Sequence, residues 1–134
     1  MQTDSTHSAS QARTCVITIN YQNTLTTVDC IKSIRRASDV QVVVVDNTPL
    51  CKELQSQVKP FQHLKLLQPP ENLGFGKGNN LGIEWVSKHS QCEFVFFLNN
   101  DTTITRDAIA KLESALDKHP EAGLVTPQIL LADE

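Results

Sequence analysis

The sequence predicts an α/β fold, a mostly parallel sheet with helices on both faces, and three observations carry that prediction. Nearly continuous apolar runs, Val40 to Val45 and Phe94 to Leu98 among them, read as strands buried on both faces. Segments with apolar residues three or four apart lie between the runs, as right-handed crossover helices do. The runs also end abruptly in polar side chains, and in open α/β sheets ligands lie outside the carboxyl ends of the strands.

In chain order, Cys15-Val16-Ile17-Thr18-Ile19 is β-branched enough for a first strand and stops at Asn20-Tyr21-Gln22-Asn23. Leu25, Val28, Ile31 and Ile34 then mark one face of a helix, with Asn23 or Thr24 placed to cap it and Arg35 and Arg36 in its last turn. Val40 to Val45 is the second strand and ends at Asp46-Asn47-Thr48-Pro49. A short helical segment around Cys51 to Val58 is stopped by Pro60, and His63 to Gln68 forms a third strand before Pro69-Pro70. The stretch from Glu71 to Gly82 reads as a Gly and Asn loop running into a helix that carries Leu81, Trp85 and Val86. Phe94 to Leu98 follows as the fourth strand and ends in Asn99-Asn100-Asp101-Thr102. A last helix carries Ile109, Leu112 and Leu116, bounded by Pro120 and Gly123, before a fifth apolar piece at Leu124-Val125. The expected architecture is Rossmann-like.

The length of 134 residues suits one domain. Residues 1–13 form a polar leader, expected to be disordered, and residues 14–134 the domain. The leader lacks an apolar core, which excludes a secretory signal. No stretch approaches the ~20 apolar residues of a membrane span. A soluble, cytoplasmic chain is expected, with attachment to the inner face of the membrane left open. A net charge of -3 without a basic stripe argues against nucleic acid as a partner. Cys15, Cys30, Cys51 and Cys92 show no paired metal-ligand spacing and read as free thiols. His63, His89 and His119 fall near element ends, where a solvated or capping role is expected rather than ligation.

Three strand ends, Asn20-Tyr21, Asp46-Asn47 and Asn99-Asn100-Asp101, should converge on one edge of the sheet. Asp46 has two equal readings: a carboxylate accepting the N3–H of a pyrimidine, or an Asx-turn in strong turn chemistry. Asp101 reads as a ligand for a hard cation beside a diphosphate, ahead of a simple turn. The glycine segment has G-x-G, but Asn79 stands where a dinucleotide loop needs its third glycine. Gly78 after Lys77 likewise rules out a Walker-type loop. What remains is a loop that lets backbone approach a ligand closely, with Asn72, Lys77, Asn79 and Asn80 as donors, or simply a set of turns.

Val42-Val43-Val44-Val45-Asp46-Asn47, the run from Asn72 to Ile83, and Phe97-Leu98-Asn99-Asn100-Asp101-Thr102 together resemble the family 2 glycosyltransferases, in particular their rhamnosyltransferase-like branch. The resemblance covers roughly residues 14 to 130. It implies a GT-A fold and inverting transfer of a sugar from a nucleotide-diphosphate donor, a UDP- or dTDP-sugar, to a saccharide or lipid-linked acceptor, with Mg²⁺ or Mn²⁺ as cofactor. By that resemblance Asp46 binds the base, and Asn20 and Tyr21 border base and ribose. Asn72, Gly74, Asn79 and Asn80 line the nucleotide. Asn99, Asn100 and Asp101 occupy the D-x-D position, where Asp101 keeps the metal-facing carboxylate and Asn99 replaces the first acidic residue. Members of the family carry a second half with the acceptor site and the catalytic base, so this chain is expected to be shortened and its base is unassigned. The competing expectation is a non-catalytic nucleotide-sugar-binding module; a nicotinamide-dependent oxidoreductase is disfavoured by the glycine spacing. An early end to the sheet would also leave an exposed edge open to self-association.

Overall fold

The structure, a computed structural model, describes residues 12–37 and 40–131. Of the expected polar leader, residues 1–11 lie outside the described residues. The elements follow as β1 (Thr14–Asn20), α1 (Thr24–Ala37), β2 (Gln41–Asp46), α2 (Glu53–Val58), β3 (Leu64–Leu67), α3 (Gly74–His89), β4 (Phe94–Phe97) and α4 (Ala108–Lys118). The four strands form one sheet in the order β3-β2-β1-β4, and every pairing is parallel. The chain thus winds outward from β1 through β2 to β3, then returns to add β4 on the other side of β1. That reversal puts a crevice at the carboxyl ends of β1 and β4, where the connections diverge.

Alternation along the strands divides the core between the two faces. Val16, Val42 and Val44 pack with Val28, Ile31 and Ile34 of α1, Leu54 and Val58 of α2 and Ile109 of α4. Cys15, Ile17, Val43 and Val45 pack on the opposite face with Val86 of α3. The described core side chains of β1 and β2 are almost wholly excluded from water. Each contributes roughly 1.5–3 kcal/mol of burial, so these two strands form the rigid floor from which the site projects.

Three expectations need correction. Phe94 to Leu98 is not buried on both faces: β4 is an edge strand paired only with β1, and its burial alternates. Phe96 and Leu98 face the α1 core, whereas Val95 and Phe97 face the α3 side and are 37% and 46% exposed, because α3 lies over β1 and β2 instead. The glycine segment from Gly74 to Gly82 is not a loop. It is the first half of α3, whose buried stripe is Gly78, Gly82 and Val86 at four-residue spacing. Each glycine weakens a helix by about 1 kcal/mol, but here it permits contact that no larger residue could make. A Cβ at Gly82 would stand 2.7 Å from Ile17 Cγ2. Finally, Leu124-Val125 forms no strand; Leu124 is exposed and Val125 partly so. No described helix is long and apolar enough to cross a membrane. The four cysteines are free, with Cys15 and Cys30 buried. Both thiols are pushed up to about 12, chiefly by burial, with the Asp101 carboxylate adding to the effect on Cys30.

Candidate functional site

A cleft of about 480 Å³ opens at the carboxyl ends of β1, β2 and β4, within the roughly 300–1,000 Å³ of small-molecule sites. Ile19 and Tyr21 come from the end of β1, and Asn47 from the residue after β2. Asn72, Gly74 and Phe75 form the wall at the start of α3. Asn99, Asn100 and Asp101 close it from the turn after β4. The three strand ends therefore meet as the sequence predicted.

Strand alternation sorts the candidate residues into those lining the cleft and those beneath it. Asn20 and Asp46 point to the α1 side and are each 1% exposed, so they underlie the cleft. Asn20 Nδ2 donates to Asp46 Oδ1 at 2.8 Å, and the Thr48 N–H donates to the same oxygen at 3.1 Å. The Asx-turn reading of Asp46 is thus realised in the fold. Its second oxygen receives a long contact of 3.4 Å from Gln68 Nε2, an exposed amide that also donates to the Cys51 carbonyl at 3.1 Å. Tyr21 stands half-exposed at the rim.

Asn47 points the other way and reaches the cleft. It clamps the start of α3 to β2, with Nδ2 donating to the Gly74 carbonyl at 3.0 Å and Oδ1 accepting the Leu73 N–H at 3.4 Å. Asn72 Oδ1 accepts the Gly74 N–H at 2.8 Å. Gly74 has φ +72°, a left-handed backbone that a side chain would strain. Asn79 and Asn80 lie further along α3 and do not line the cleft; the Asn79 amide donates back to the Phe75 carbonyl at 3.1 Å. Sequence reasoning left Ile19, Asn47 and Phe75 out of the site. For Ile19 and Asn47 the missing signal was the period of two, which alternates faces along an extended segment. Phe75 was hidden by taking its segment as a loop.

The turn after β4 is closed by the Thr102 N–H donating to the Asn99 carbonyl at 3.2 Å, with Thr102 Oγ1 on the same oxygen at 2.6 Å. Asp101 projects from it as the one carboxylate lining the cleft among the described residues. Those residues contain no group of three or more His, Cys, Asp or Glu that could hold a metal ion by themselves. One carboxylate beside amide oxygens does fit Mg²⁺ or Mn²⁺, which take one or two carboxylates and complete their shell with water and phosphate oxygens.

A four-stranded parallel sheet with helices on both faces and polar strand ends gathered at its reversal point matches part of the fold of GT-A glycosyltransferase structures. A mannosyltransferase from Pyrobaculum calidifontis in complex with GDP-Man and Mn²⁺ superposes with a TM-score of 0.65 at 22% identity, over 81% of this chain and 33% of that one. S. aureus TarS, residues 1–349 in complex with UDP, superposes with a TM-score of 0.64 at 24% identity, over 87% of this chain and 38% of that one. An uncharacterized glycosyltransferase of Haemophilus influenzae is 28% identical over 106 residues, 75% of this chain and 38% of the relative. The chain thus spans little more than a third of the length of these relatives. The profile described as "Glycosyl transferase family 2" matches residues 15–130, and the chain belongs to that family.

Proposed function

We propose that the cleft binds a nucleotide-diphosphate sugar, UDP- or dTDP-linked, together with Mg²⁺ or Mn²⁺, as the donor-binding part of an inverting transferase that serves a saccharide or lipid-linked acceptor. The observation that carries this reading is the arrangement of Asp101, Asn99 and Asn100 opposite Asn47 and Asn72 across one cleft of suitable size. The supporting comparison is that solved neighbours hold GDP-Man with Mn²⁺, or UDP.

In this reading the base lies toward Asp46, whose Oδ2 would exchange the long Gln68 contact for a ring N–H. Asn20 holds that carboxylate in place from below. Tyr21 borders the ribose, and Asn72 and the Gly74 backbone face the nucleotide. Asn79 and Asn80 contribute as part of the α3 entry rather than as cleft groups. Asp101, with the amide oxygens of Asn99 and Asn100, would hold the cation, which when bound neutralises the departing diphosphate.

Among the described residues Asp101 is the one carboxylate lining the cleft, and no second one stands there as a general base. That favours, as the second reading for this chain alone, a nucleotide-sugar-binding module without transfer. A second copy of the chain is proposed as a partner at β4, whose outer edge is unpaired and whose Val95 and Phe97 are exposed.

Calorimetric titration with UDP-, dTDP- and GDP-sugars, with and without Mn²⁺, tests the reading. It predicts Mn²⁺-dependent binding that weakens about tenfold or more in Asp46→Ala and Asp101→Ala, the cost of a lost charged contact. Absence of binding to every donor, or variants that bind as the parent does, would contradict it. Transfer or donor hydrolysis by the chain would decide for enzyme over module.

A further inference from the structure

Helix α1 carries three small polar residues on one face, Thr27, Cys30 and Ser33, at three-residue spacing. All are at most 1% exposed, in positions where the helix would otherwise bury apolar side chains. Each holds the segment that follows β4. Asn100 Nδ2 donates to Thr27 Oγ1 at 2.8 Å, Cys30 Sγ donates to the Asn99 carbonyl at 3.6 Å, and the Ile104 N–H donates to Ser33 Oγ at 3.2 Å. Among the described residues the edge strand β4 pairs with β1 alone, through four residues and the Leu98 N–H on the Ile17 carbonyl, and Thr102 closes the turn beyond it. The α1 face adds three further bonds to that segment.

Thr27 does more than hold. Its hydroxyl donates to Asn20 Oδ1 at 2.7 Å, with the Asn23 carbonyl at 2.9 Å as a shared acceptor. Asn20 Nδ2 in turn donates to Asp46 Oδ1 at 2.8 Å. The bonds run in one direction, Asn100 to Thr27 to Asn20 to Asp46, and link the two ends of the cleft beneath its floor. An amide has a donor end and an acceptor end of nearly equal shape. Because the Asn100 nitrogen is committed to Thr27, the oxygen is the end of the amide left for a ligand in the cleft that Asn100 lines.

We propose that Thr27 is a positioning residue of the cleft: its hydroxyl fixes Asn100 with the amide oxygen toward the ligand and ties that orientation to the Asn20–Asp46 pair. An oxygen there suits a divalent cation or a sugar hydroxyl, whereas a nitrogen would suit a phosphate oxygen. This proposal rests on the reading of the cleft as a nucleotide-diphosphate site.

The test compares the full chain with Thr27→Val, which keeps shape and removes the hydroxyl, and Thr27→Ser, which keeps the hydroxyl. Side-chain amide resonances of Asn20 and Asn100 in the free protein should both shift in Thr27→Val and return near their original positions in Thr27→Ser. Affinity for UDP with Mn²⁺ should fall about tenfold in Thr27→Val and recover in Thr27→Ser. The losses from Thr27→Val and Asn100→Ala should be less than additive, since Thr27 acts in part through Asn100. Unmoved Asn20 and Asn100 amides in Thr27→Val would overturn the proposal. So would additive losses, or a Thr27→Ser variant as weak as Thr27→Val. A parent chain that binds no UDP overturns the nucleotide reading instead, while the free-protein spectra still decide for or against the Thr27 linkage.

Discussion

Arg13, just before β1, ties the amino-terminal edge of the sheet to two other parts of the chain. Its Nε and Nη2 donate to Glu93 at 3.0 Å each, and its Nη1 and Nη2 donate to Asp117 of α4 at 2.9 and 2.8 Å. Hydrogen bonds from the guanidinium hold both carboxyls below their usual range, and the same bonds, donated to Asp117 and Glu93, push Arg13 further up. A carboxyl whose folded pKa is depressed stabilises the fold above its unfolded pKa of about 4 and loses that contribution as pH falls through the folded value. Both carboxylates are exposed and Arg13 is partly so, so salt screens the effect. The melting temperature should therefore fall between pH 5 and about pH 2, and Arg13→Met should flatten that acid limb. An unchanged limb in Arg13→Met, measured by circular dichroism melting at low salt, would contradict this account of the bridge.

At the scale of elements, the placement of α3 decides where the cleft wall stands. Gly78 and Gly82 let the helix lie directly on β1, since a Cβ at Gly78 would meet Asn47 Nδ2 at 3.2 Å and one at Gly82 would meet Ile17 Cγ2 at 2.7 Å. Ile17 is fully buried and sits in the middle of the sheet, so it cannot yield. Overpacking at Gly82→Ala should cost about 1–3 kcal/mol against the ~1 kcal/mol that alanine adds to a helix, a net destabilisation of up to about 2 kcal/mol. Gly76 has nothing within 4 Å of its would-be Cβ, so Gly76→Ala should stabilise by up to about 1 kcal/mol. Urea denaturation of the pair checks the opposite signs; equal shifts would show that propensity alone governs both sites.

For the molecule as a whole, the fold was legible because apolar runs and helical spacing act over many residues at once. The parallel sense of the sheet, the elements' centres and the convergence of three strand ends all follow from that redundancy. Less legible was whatever depends on a neighbour in space. The apolar composition of Phe94 to Phe97 did not reveal that α3 would leave one face of β4 bare. The glycines of α3 looked like a loop because their benefit comes from Ile17, far away in sequence. Asp46 and Asp101 were singled out by residue type at strand ends, and Asn47 called for the period of two beside it, whereas Thr27 acts through contacts that no local pattern displays. The bare side of β4 also predicts self-association, visible as a molar mass that rises with concentration in light scattering; a constant monomer mass would refute it. A nucleotide diphosphate held with its cation in the cleft at the sheet's reversal point would be visible by paramagnetic broadening. With UDP present, Mn²⁺ should selectively broaden the backbone amide signals of Asn99, Asn100 and Asp101 and, across the cleft, of Asn47 and Gly74. Broadening centred elsewhere, or none at saturating UDP, would contradict binding there.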